Sequence, residues 1–205
     1  MKRLSVAALA PIWEVPGKLR SKVAVLNESS YGAPRSQGIH HSRSASAFGG
    51  GVRLTPNEVK ELERLSATPE RIGGLEGRLL APDDAIEGVL SWFIDQGADR
   101  WISDIAREVE EEALLEGKPI FDPALFSSLS FAFDRVVRVN LPPHEMRSEA
   151  AAIYPTTYLW WIYGVQCSSD IMEQLQRSDR VLLPTDIQLA ARAAGDVVLN
   201  ATLIH

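Results

Sequence analysis

Cysteine is nearly absent: Cys167 is the only one in 205 residues. A lone thiol excludes a disulfide framework and a cysteine-built metal site, and it points to a reducing, intracellular setting. Long apolar runs are missing as well. The most apolar stretch, YLWWIYGV at 158–165, falls far short of the roughly 20 residues a membrane-spanning helix needs, so no membrane association is expected. The opening MKRLSVAALAPIW has a basic start and a brief apolar run, but Pro11 interrupts this faint targeting pattern. Histidine is scarce too. The adjacent pair His40-His41 has Ser and Arg neighbours rather than further ligands, so no metal is expected there. No nucleophile–base pair, phosphate-cradling motif or ligand cluster stands out. The chain is therefore expected to be neither an enzyme nor a cofactor carrier.

Positive charge is in short supply, with 21 Lys and Arg against 27 Asp and Glu for a net charge of −6. The deficit is uneven. Residues 1–53 carry a net +6 and the remainder −12. A basic arm on an acidic body suggests contact with something anionic. Residues 27–53 are rich in Ser, Gly and Arg, which predicts a flexible arm and makes 1–53 a flexible basic N-terminal tail.

Order is expected to begin at LTPNEVKELERL, where Thr55 and Glu58 form a capping box and Pro56 takes the first helical position. Apolar spacing predicts one long helix over 82–112, capped by Asp83 or Asp84. A further helix should start at Asp122 and Pro123, run through ALFSSLSFAFDRVVRV and stop at Pro142-Pro143. Another is expected from Pro155 to about Gln176, where Trp160-Trp161 have the spacing of core residues rather than a cofactor platform. An extended loop from Arg180 to Leu183 and a last helix opened by Pro184 complete a pattern of short, long and short helices that occurs twice. Each long helix is followed by a basic residue, an apolar pair and a proline: Lys118-Pro-Ile-Phe-Asp-Pro123 and Arg180-Val-Leu-Leu-Pro184.

The second half resembles histone 2A. Leu129-Ser-Phe-Ala-Phe-Asp-Arg135-Val-Val-Arg138 is similar to that family's first-helix pattern, and Ile187-Gln188-Leu189-Ala190 with Arg192 is similar to its third helix. The first half resembles histone 2B through Gly88-Val-Leu-Ser-Trp-Phe93 and the stretch Asp99 to Arg107. Together, over about 82–198, the chain resembles the histone doublets encoded by giant DNA viruses.

The resemblance implies an all-α protein: two tandem histone folds in an intramolecular handshake pseudo-dimer, with a 2B-like unit at 54–128 and a 2A-like unit at 129–205. It implies double-stranded DNA as a ligand of Arg135, Arg138, Arg147, Arg180 and Lys118, and a histone 4–histone 3-like doublet as partner in a nucleosome-like particle. Asp170, Glu173 and Asp196 would form an acidic patch for arginine anchors of other proteins. The setting would be the virion and the host nucleus or viral factory, or otherwise the nucleus. The acidic body departs from the strongly basic family pattern, and Asp134 and Asp179 stand beside expected DNA-facing arginines. That departure favours a second expectation, a histone-fold regulatory or assembly factor working through protein–protein contacts.

Overall fold

The computed structural model describes residues 1–27, 43–71, 74–114, 118–143, 153–183 and 197–199. Strands dominate where helices were expected. In chain order the strands are β1 (Lys2–Val15), β2 (Leu19–Lys22), β3 (Ala24–Asn27), β4 (Arg43–Ser46) and β5 (Phe48–Gly51). Helix α1 (Pro56–Arg64), strands β6 (Thr68–Pro69) and β7 (Arg78–Ala81), and helices α2 (Ile86–Asp95) and α3 (Ile102–Ala113) follow. The chain continues through β8 (Ser130–Leu141), β9 (Thr156–Gln166), α4 (Ser169–Arg177), β10 (Val181–Leu182) and β11 (Val197–Leu199). The protein is mixed α/β, and the all-α handshake pair of histone folds is overturned.

Three segments carry the correction. Residues 1–53 are not a flexible tail over their described part, because β1 alone buries Leu4, Val6, Ala8, Trp13 and Val15. Leu4, Val6 and Ala8, and again Trp13 and Val15, recur in steps of two, the strand period, on either side of a stretch buried throughout at 9–11. In β8 the residues Phe131, Phe133, Val137, Val139 and Leu141 also recur in twos, and this pattern, not a helical stripe, is the one the backbone follows. β9 is a continuous apolar run, where periodicity cannot separate a buried strand from a buried helix. Its composition decides instead: Thr, Tyr, Trp, Ile and Val fit the pleated surface and lose rotamer freedom in a helix.

The helices that do form obey local rules. At α1 the Thr55 Oγ1 accepts from the Glu58 amide at 3.3 Å and the Glu58 carboxylate accepts from the Thr55 amide at 2.6 Å, the expected capping box. The long helix expected over 82–112 is broken in two. Gly97 has φ of 77°, outside the helical region, and a 3-10 turn at Ala98–Trp101 bridges the gap. Nor do Asp83 and Asp84 cap it. Ala85 occupies the N-cap without a side-chain bond, and Asp83 meets the amino terminus at 3.0 Å. Asp122 does cap a helix, but a short 3-10 one at Pro123–Ser128 that leads into β8.

The larger sheet has seven strands in the order β6-β7-β1-β9-β8, with β2 and β5 also paired to β1. The smaller has the order β10-β3-β4-β11. Two compact units divide the chain: residues 1–8, 50–105 and 135–162, and residues 9–49, 106–134 and 163–205.

In the first unit, Leu4 and Val6 of β1, Leu62 of α1, Leu79 of β7, and Val89 and Phe93 of α2 are fully or nearly fully buried. Trp101 sits 5.8 Å from Phe93 and 6.4 Å from Trp161, ring to ring. Gly77 allows a close backbone approach there. A Cβ at this position would come within 2.6 Å of Val52 Cγ2, while its amide donates to the Val52 carbonyl at 2.8 Å. In the second unit, Trp13 packs against Phe48 at 5.2 Å and Phe121 at 6.3 Å. The smaller sheet lies in this unit, with Val25 opposite Ser46 and Val181 opposite Val25 in antiparallel pairs. The extended stretch expected from Arg180 to Leu183 thus contains β10, which pairs with β3.

Candidate interaction edge

β8 ends the strand order, and among the described residues β9 is its one sheet neighbour. Adjacent strands could hardly differ more in burial. Every residue of β9 from Thr156 to Tyr163 is buried, whereas no residue of β8 is. Val136, Val137, Val139 and Leu141 are half-buried, and Phe133 is 45% exposed with its ring edge-on to Tyr163 at 6.0 Å. The outer edge of a terminal strand presents a row of amides and carbonyls suited to another strand. Edges that resist such pairing are typically short, bulged or interrupted by proline. β8 is twelve residues long, and its prolines, Pro142 and Pro143, come only after it ends.

Charged and polar side chains punctuate this strand. Asp134 and Arg135 are exposed. Arg138 makes a two-pronged ion pair with Glu87 of α2, Nη1 to Oε2 at 2.9 Å and Nη2 to Oε1 at 2.6 Å. Those hydrogen bonds hold the Glu87 carboxyl below its ordinary range and push the Arg138 guanidinium higher still. At the strand's far end, the Thr157 hydroxyl donates to Asn140 Oδ1 at 2.8 Å.

The residues expected to hold DNA fall into two pairs, with one residue left outside the described ones. Arg135 and Arg138 lie together on β8. Arg180 and Lys118 are also brought together, but through the backbone. The Arg180 guanidinium donates from Nη1 to the Lys118 carbonyl and from Nη2 to the Glu112 carbonyl at 2.9 Å. Glu112 is in the last turn of α3, so Arg180 caps a helix C-terminus and meets the negative end of its dipole. Arg147 lies outside the described residues. In the expected acidic patch, Asp170 is in the first turn of α4 and Glu173 pairs with Arg177 at 3.2 Å. Glu173 also lines a groove of about 160 Å³ with Lys18 and Met172. Asp196 and the pair His40-His41 lie outside the described residues.

Three charge clusters escaped the sequence reading. Arg100 grips Glu58 through Nε at 2.8 Å and Nη2 at 2.9 Å, reaches Asp104 at 3.4 Å and stacks 4.5 Å from the Trp101 ring centre. Burial works against the charge of Glu58, yet the Arg100 and Thr55 hydrogen bonds outweigh it and the carboxyl is held low. Arg3, 3% exposed, pairs with Glu70 at 2.9 Å, and its Nη1 is buried without a hydrogen-bond partner. Glu112 is largely buried, and burial pushes its carboxyl up to about 8, although its Oε2 accepts from the Gly49 amide at 2.9 Å. Each cluster joins partners tens of residues apart in sequence, Arg100 to Glu58, Arg3 to Glu70 and Glu112 to Gly49. Only the Thr55–Glu58 box was a local signal.

Among the described residues there is no group of three or more metal-type ligands, and no helix is long and apolar enough to cross a membrane. No protein-family model matches the chain, no curated protein matches it, and no solved structure matches it.

Proposed function

We propose that this chain is a binding and assembly protein, not a catalyst, and that it engages its partner by adding a strand to the outer edge of β8. The nucleosome-like role depended on handshake geometry, which a sheet-based protein lacks. What persists is the second expectation, action through protein–protein contacts, now on a different fold. One observation carries it: a twelve-residue terminal strand with no buried residue beside a strand buried over eight consecutive positions. Strand addition gains main-chain hydrogen bonds along the whole edge, and the alternate side chains supply specificity.

Site-specific photocrosslinking tests this in cells that make the full chain. A crosslinker at Val136 is expected to give a covalent adduct, and the same group at Lys60, exposed on α1, is expected to give none. A proline introduced at Arg135 should remove the Val136 adduct, since proline obstructs strand pairing. Absence of any Val136 adduct, or an adduct indifferent to that proline, would contradict strand addition at β8.

A further inference from the structure

We infer that a recess beside β6 and β7 takes a small carboxylate carrying a short apolar stem. The recess lies wholly within the first unit and owes nothing to the β8 edge. Pro69, Glu70, Arg71, Leu75, Glu76 and Arg78 line it together with Gly74, around a cavity of about 250 Å³. Pockets for drug-sized ligands run from about 300 to 1,000 Å³, so this one suits a single charged group and a few carbons.

The charges around the recess do not cancel. Glu70 is already taken by buried Arg3, whose Nε donates to its Oε2 at 2.9 Å. Glu76 meets the Nε of Arg78 at 3.3 Å. Arg71 is exposed and has no acid partner among the described residues. Three guanidiniums therefore stand against two carboxylates, and one positive charge is left over. A carboxylate balances that sum, whereas a phosphate monoester brings about −1.5 to −2 and would overshoot it. Guanidiniums also suit the ligand's shape, because they can receive a carboxylate on two parallel N–H donors.

Two features prepare the recess for binding. One wall is pinned through its backbone. The Leu75 carbonyl accepts from the Leu54 amide at 2.6 Å, while Gly77 donates to the Val52 carbonyl and accepts from the Val6 amide, both at 2.8 Å. That wall needs no ordering when a ligand arrives. The other feature is the looseness of the Arg78–Glu76 pair, whose side chains are 44% and 54% exposed. Exposed ion pairs are weak, so Arg78 can turn to a ligand at little cost. Pro69 and the exposed Leu75 supply the apolar wall, and a stem lying against Leu75 would remove part of it from water.

Amide chemical shifts of the isotope-labelled full chain at neutral pH test this with four probes. Isovalerate has both the charge and a branched stem, isovaleramide the shape without the charge, and acetate the charge without the stem. Inorganic phosphate is the competing anion. Isovalerate is expected to move the Gly74, Leu75 and Gly77 amides saturably. Acetate should bind more weakly and isovaleramide not at all. Arg71→Gln should weaken isovalerate about tenfold, the scale of one charged hydrogen bond. Glu76→Gln should instead tighten it by up to about fivefold, because Arg78 loses its competing acid. Opposite signs at two wall positions separate a reading of charge from general damage, and the spectra of both variants verify their folding.

Isovalerate shifts that never saturate would overturn the inference. So would isovaleramide moving the same amides equally, acetate binding as tightly as isovalerate, or phosphate saturating where isovalerate does not. An isovalerate affinity unchanged in both variants would overturn it as well.

Discussion

β9 and β8 are neighbours in one sheet, eleven and twelve residues long, and both mix aromatic with β-branched side chains. β9 lies between β1 and β8 in the strand order, and its first eight residues are buried. β8 has a neighbour on one side only among the described residues, and its apolar residues are at best half-buried. Similar chemistry thus has opposite consequences. In the interior of the sheet, apolar side chains supply stability. At its edge, among the described residues, the same types of side chain stay partly exposed to water.

Substitutions can break this comparison, and the largest effect should fall on β9. Trp161→Ala should cost roughly 3–5 kcal/mol of stability by emptying a buried ring position. Phe133→Ala on β8 should cost about 1 kcal/mol, the scale of one aromatic contact. Denaturant titration of the two variants measures the gap, and equal losses would show that β8 is as much a part of the core as β9. Next in size, Arg180→Ala should lose about 2 kcal/mol, since charged hydrogen bonds to the two carbonyls disappear. A variant as stable as wild type would return Arg180 to the role of a free surface cation.

A pH dependence gives a further check. Glu112 has a folded value of about 8 against an ordinary 4.5, so the folded state binds its proton more tightly than the unfolded state does. Its contribution is fully present below about 4.5 and is lost as pH rises toward about 8. Melting temperature measured from pH 5 to 9 should therefore decline more steeply in wild type than in Glu112→Gln, which keeps an oxygen for the Gly49 amide. Parallel profiles would refute the assignment.

Local signals in the sequence were legible, and long-range ones were not. The Thr55–Glu58 capping box and the Asp122 cap with Pro123 both form, because each depends on residues within one helical turn. The break at Gly97 was also readable, since a glycine inside a helical pattern marks a weak point. The strand character of β9 could have been read from its Thr, Tyr, Trp and Ile content, and that of β8 from its period of two. The histone resemblance instead imposed a helical reading on both segments. The edge followed from neither propensity nor motif. That β8 is terminal depends on the order in which distant strands pair, and that Arg180 caps α3 depends on carbonyls 62 and 68 residues away. The basic segments at Lys118 and Arg180 do meet, through the Arg180 guanidinium on the Lys118 carbonyl, and the same guanidinium holds the end of α3.

Amide hydrogen exchange resolved along β8 and β9 in dilute solution tests the central claim most directly. An open edge predicts that alternate amides of β8, those directed away from β9, exchange fast while β9 stays protected. Uniform protection of β8 at the level of β9, at the lowest concentration, would mean the edge is already covered and would contradict the account.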